Sequence, residues 1–196
     1  MYVDVNEARN ERRDMLDQRW SDFLLTMDII CSPTPNNIEA LKRRTTRSSP
    51  EGILLVGGNN PAAYGGNAPE RDNIDTYLLN LAIKKGIPLF GVCRGMQSLA
   101  LHFGARLEPI EGHVGILHTL SGKINRNVNS YHTLRVGVLP NCFEVLAQSE
   151  DGTIEAIAHR EYPFLGIMWH PERCETFQEE DIKLFSNLWN KGSVVL

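Results

Sequence analysis

Two glycines, one placed two residues before a cysteine and one two residues after it, constrain this chain more than any other feature: Gly91-Val92-Cys93-Arg94-Gly95-Met96-Gln97. Upstream, Ile87–Val92 is a short apolar run. Downstream, Met96, Leu99, Ala100 and Phe103 recur at helical spacing, and Gly104 is placed to cap that helix. When a strand turns into a helix this sharply, a side chain at either flanking position collides with its neighbours. The central residue is pushed out into a cleft with its sulfur at a helix N-terminus. There, unpaired N–H groups and the helix dipole favour thiolate over thiol.

The rest of the first half alternates in the same way. Glu51–Gly58 is a continuous apolar run ending in two glycines, the pattern of a strand covered on both faces. A helix capped by Asp72, with Ile74, Tyr77, Leu78 and Leu81 as its apolar face, is expected between it and the elbow strand, ending at Gly86. Before these come a strand over Tyr2–Val5, a helix from Asp14 to Met27, a short strand at Ile29-Ile30 and a helix over Ile38–Arg44. The second half reads as strands at 105–109, 134–139, 153–158 and 164–169, with a turn at Asp151-Gly152, then a helix over Gln178–Asn190. Strands alternating with helices imply βαβ units, an α/β class and a mostly parallel sheet. With 196 residues, no repeat and no linker, the chain reads as a single domain over 1–196.

Composition removes several function classes. Twenty basic and 24 acidic side chains leave a net charge of −4, which gives no ground for nucleic-acid or membrane binding. No apolar run approaches the roughly 20 residues that span a bilayer. The segment Met1–Glu7 lacks the basic and apolar regions of a secretory signal, so a cytoplasmic location is expected. Cys31, Cys93, Cys142 and Cys174 show no CxxC pairing, which speaks against a disulfide framework; Cys31 and Cys142 read as buried packing residues.

The elbow cysteine has a partner in Trp169-His170-Pro171-Glu172, which directly follows another apolar strand. His170 should therefore emerge at the same carboxyl edge of the sheet as Cys93, where open α/β sheets place their ligand crevices. A nucleophile needs a base within hydrogen-bond reach, and the base needs a group to hold its tautomer; Glu172 is near enough to do so. The backbone N–H of Arg94 can supply one oxyanion donor, and Gly57 or Gly58 the other. Cysteine acyl transfer of this kind needs no metal or nucleotide, so no cofactor is expected. His113 and His118 fit no tight zinc pair, and no nearby cysteine or carboxylate completes a ligand set. Arg9, Arg12 and Arg13 read either as a solvated helix face or as guanidinium groups for a substrate phosphate.

Five segments together resemble a class I glutamine amidotransferase-like hydrolase of the γ-glutamyl hydrolase branch. They are Gly57-Gly58-Asn59, Tyr64-Gly65-Gly66 with Pro69-Glu70-Arg71-Asp72, Gly91 through Gln97, Val128-Asn129-Ser130-Tyr131-His132, and Gly166 through Glu172. The segment from Arg12 to Trp20 is similar to the first helix of that branch. The resemblance implies a three-layer, flavodoxin-like fold with helices on both faces. It also implies attack on a γ-glutamyl amide through a thioester, with Cys93 as nucleophile, His170 as base and acid, and Glu172 as orienting carboxylate. By the same resemblance Gly58 and Arg94 fall on oxyanion positions, and Gln97, Ser130, Tyr131 and His132 on positions that hold the glutamyl group. Asn60 departs from the Asp that many relatives carry after Gly-Gly-Asn, and Thr133-Leu134 after Tyr131-His132 departs from the pattern of γ-glutamyl-γ-aminobutyrate hydrolases; hydrolases of γ-glutamyl nucleotide amidates are the nearer branch. The partner expected is a small γ-glutamyl molecule, with a homodimer left open. The rival expectation is a glutaminase subunit that passes ammonia to a partner synthetase.

Overall fold

The structure, a computed structural model, describes residues 1–191. An antiparallel hairpin of β1 (Tyr2–Asn6) and β2 (Glu11–Met15) precedes α1 (Arg19–Leu25) and α2 (Ile38–Arg47). Next come β3 (Ile53–Leu55), α3 (Pro69–Lys85), β4 (Leu89–Val92) and α4 (Arg94–His102). The second half contains β5 (Arg106–Pro109), β6 (Val114–Thr119), β7 (Ser121–Gly122), β8 (Asn127–Tyr131), β9 (Leu134–Val138), β10 (Phe143–Gln148), β11 (Ile154–His159), β12 (Phe164–Ile167) and α5 (Glu179–Lys191).

The central sheet has the order β3-β4-β12-β11-β10-β7. β4 lies parallel to both β3 and β12, and the remaining pairs are antiparallel. Parallel pairing is therefore confined to the half that carries the elbow. Alternation along each strand feeds two separate cores. On one face Phe90, Val92, Leu165 and Ile167 pack with Trp20 and Phe23 of α1 and Phe185 and Leu188 of α5. On the other, Leu89, Phe164 and Ile157 pack with Leu79 and Ala82 of α3 and Met96, Leu99 and Ala100 of α4. Helices thus cover both faces, giving the three-layer α/β arrangement.

Local departures from the sequence reading have physical causes. The helix expected from Asp14 begins only at Arg19, because Asn10 takes a left-handed conformation (φ 51°) that reverses the chain and sets residues 11–15 against β1. Arg12 and Arg13 consequently lie on a strand, paired with Glu70 and Glu11, and form no helix face. Ile29-Ile30 is not a strand: Ile29 N–H closes the end of α1 on Leu24 O, and Ile30 is exposed. α3 starts at Pro69, whose missing N–H suits a first helical position. Asp72 does not cap α3. Its carboxylate accepts Ala62 N–H and pairs with Arg94. Cys31 and Cys142 are half-buried against the cores, and among the described residues no cysteine is in a disulfide.

Candidate active site

β4 ends at Val92, and Cys93 makes the whole turn into α4 with φ 51° and ψ −105°. That left-handed φ is rare for any residue with a Cβ and marks a strained elbow. The flanking glycines are required by contact. A Cβ on Gly91 would stand 2.6 Å from the Gly95 carbonyl, and one on Gly95 would stand 1.9 Å from Leu55 O. Cys93 N–H donates to Ile167 O at 2.7 Å, which ties the elbow to the end of β12.

β12 delivers His170 to the same sheet edge. Its Nδ1 donates to Glu172 Oε1 at 2.7 Å, and both side chains are buried. Burial alone would lower the His170 pKa; hydrogen bonds and charge from Cys93 and Glu172 outweigh it and raise the value to about 9. The imidazole thus holds a proton at neutral pH while it touches the sulfur. Asn129 of β8 clamps the backbone on the other side: its Oδ1 accepts His170 N–H at 2.7 Å and its Nδ2 donates to His170 O at 2.8 Å.

The Gly57-Gly58 turn lies against this pair, since a Cβ on Gly57 would meet His170 Cε1 at 2.6 Å. Arg71, which sequence reasoning had given no role, grips the turn from below. Its Nη1 donates to Gly57 O at 2.9 Å and its Nη2 to Val56 O. In a trans peptide C=O and N–H point oppositely, so holding Gly57 O on Arg71 turns the Gly58 N–H away from the guanidinium. An arginine one turn into a helix that follows a glycine-rich loop was the available signal, but its buried position came only from packing. Arg94 supplies its backbone N–H at the first position of α4, while its side chain is buried on Asp72 and Asp75.

The remaining candidates divide by strand alternation. Asn129 and Tyr131 face His170, with the Tyr131 ring edge-on to the imidazole at 5.7 Å and under the Arg173 guanidinium at 4.5 Å. The Ser130 side chain points inward to His113 O, and His132 is buried with Nδ1 on Leu134 O. Toward His170 and Cys93 these two can present only their backbone. Gln97 is buried on α4, with Nε2 donating to Leu134 O at 3.0 Å. Among the described residues no helix is long and apolar enough to cross a membrane.

The model of the glutamine amidotransferase class-I family matches residues 15–190. A γ-glutamyl-CDP-amidate hydrolase of Campylobacter jejuni is 29% identical over 171 residues, covering 86% of this chain and 85% of that protein. Anthranilate synthase component 2 of Azospirillum brasilense is 34% identical over 155 residues, covering 72% and 74%. Among solved structures, a GMP synthase-type protein from Thermoplasma acidophilum superposes with a TM-score of 0.71 at 20% identity, covering 89% of this chain and 88% of that one.

Proposed function

Because the chain belongs to the class-I glutamine amidotransferase family, we propose that it is a cysteine-dependent hydrolase that splits a γ-glutamyl amide into glutamate and an amine or amidate. The observation that carries this is the strained Cys93 in contact with an imidazole whose other nitrogen is held by Glu172. The Cys93 thiolate attacks the γ-carbonyl carbon, and the resulting oxyanion rests on the N–H groups of Gly58 and Arg94. The His170 imidazolium gives its proton to the leaving nitrogen as the C–N bond breaks, leaving a γ-glutamyl thioester. His170, now neutral, takes a proton from water; the hydroxide attacks the thioester, and the sulfur departs as thiolate. Glu172 keeps the ring in the tautomer that both steps need. Tyr131 and Arg173 form the rim where the substrate enters, and the likeness to a γ-glutamyl-CDP-amidate hydrolase along most of both chains favours an amidate as leaving group. A reducing, cytoplasmic setting is part of the same reading, supported by the four free cysteines.

A second reading is favoured by the likeness to an anthranilate synthase component: a glutaminase subunit that hands ammonia to a synthetase. The purified chain alone decides between them when assayed against glutamine, γ-glutamyl amines and γ-glutamyl nucleotide amidates. Rapid turnover of an amidate or amine without any partner is expected. Inertness on all of them, relieved only by a synthetase, would assign the second reading.

A further inference from the structure

Away from Cys93, three histidines and one glutamate from separate segments meet in the interior. His113 precedes β6, His118 lies on β6, His132 follows β8 and Glu155 lies on β11. The four donor atoms all lie within 4.8 Å of one another. From Glu155 Oε1 the distances are 3.4 Å to His132 Nε2, 3.8 Å to His113 Nδ1 and 3.9 Å to His118 Nε2, and His113 Nδ1 stands 3.4 Å from His132 Nε2. Glu155 is completely buried, yet among the described residues neither carboxylate oxygen has a hydrogen-bond partner, and His118 Nε2 has none either. A buried carboxylate without partners is among the costliest arrangements a fold can hold, and a cation at that point removes the cost.

The outer contacts point the same way. His113 Nε2 is bonded to Asp151 Oδ2 at 3.0 Å, and His132 Nδ1 to the Leu134 carbonyl at 3.1 Å. Each acceptor takes the ring's one N–H and turns the other nitrogen's lone pair to the centre, which is how metal-binding histidines are held. Around a four-coordinate zinc with bonds of about 2.0–2.1 Å, neighbouring donors stand roughly 3.3 Å apart. The 3.4 Å separations already match, those from Glu155 to His113 and His118 close by about half an ångström, and the widest, within 4.8 Å, close by up to about 1.5 Å through side-chain rotation. One divalent ion also balances the two carboxylates, Glu155 in contact and Asp151 behind His113.

We infer that His113, His118, His132 and Glu155 form a structural site for a divalent transition metal, of which zinc fits best. All four positions are filled by the protein, so the ion fastens the β6–β8 hairpin to β11 of the central sheet and takes no part in bond breaking. The spacing of His113 and His118 fits no tight zinc pair and no nearby cysteine or carboxylate completes a ligand set; folding supplies His132 and Glu155 from distant segments. The site stands independently of the proposed hydrolysis, since its occupancy is read without substrate.

The test is elemental analysis of the full-length protein expressed with added zinc, followed by chelator treatment and reloading with zinc or cobalt(II). About one zinc per chain, a fall in Tm on chelation that zinc reverses, and visible d–d bands of tetrahedral cobalt are expected. His118→Ala and Glu155→Gln should lose the stoichiometric ion, while His102→Ala, outside the cluster, keeps it. Asp151→Asn should retain the fold and weaken zinc binding about 10–100-fold, as removal of an outer-shell partner does. Folded wild-type protein with no stoichiometric metal and no cobalt bands would overturn the inference. So would zinc retained in full by both ligand variants.

Discussion

Cys93 sits in a backbone conformation that side-chain-bearing residues adopt only at a cost of about 1–3 kcal/mol. Activity and stability should therefore pull apart at this position. Cys93→Gly is expected to abolish turnover and yet be more stable in urea unfolding than Cys93→Ala, by about 1 kcal/mol, because glycine relieves the strain. Cys93→Ser should fold normally and lose several orders of magnitude in kcat, since serine provides no thiolate. His170 gives a pH prediction with a definite sign. Its folded pKa of about 9 lies above the ordinary 6.5, so the stability from its proton is fully present below pH 6.5 and is lost as pH rises through 9. kcat/KM for an amide should decline over the same upper range, because the ring then has no proton for the leaving nitrogen. A profile flat to pH 10 would remove the imidazolium from the mechanism.

At the scale of elements, the elbow was legible because its demands are local. Two glycines, an apolar strand and a helical stripe occupy consecutive positions, and the contacts at Gly91 and Gly95 repeat that logic in space. Gly95→Ala should accordingly cost more than about 3 kcal/mol or prevent folding, as overpacking against backbone does. Gly86→Ala, at a left-handed helix end with open space around it, should cost about 1 kcal/mol. The β6 strand was illegible for the opposite reason. Val114 and Leu117 are exposed, so the run carries neither alternation nor a buried stretch to betray a strand. Asn129 also escaped a specific role, since its two bonds to the His170 backbone join residues far apart in the chain. Asn129→Ala should lower kcat at least tenfold with a stability loss of about 1–3 kcal/mol, because the buried His170 groups then lack partners. Tm and kcat measured together would separate this from general unfolding.

The whole molecule is built in two halves of different character. The parallel strands β3, β4 and β12 are short, apolar and covered on both faces by helices, and they carry Cys93 and His170 at their ends. The antiparallel strands and small hairpins extend the sheet beside that half, and β8 sets Asn129 and Tyr131 against His170. Hydrogen exchange should follow this division, slowest at amides of β4 and β12 and fastest along β6. The division also explains what could be read in advance. Continuous apolar runs announced the parallel half, whereas the antiparallel half depends on pairings between distant segments and turned an expected mostly parallel sheet into a mixed one.

The two-sided strand β8 also limits how this protein can change. Positions 129 and 131 face His170 and positions 130 and 132 the interior, so point substitutions can adjust either side while sparing the other. A one-residue insertion inverts every side chain beyond it, burying Tyr131 and bringing His132 to the surface. Length along 127–132 is therefore the invariant, and a library of single-residue insertions there should yield no active clone while substitutions at Tyr131 yield altered substrate preference.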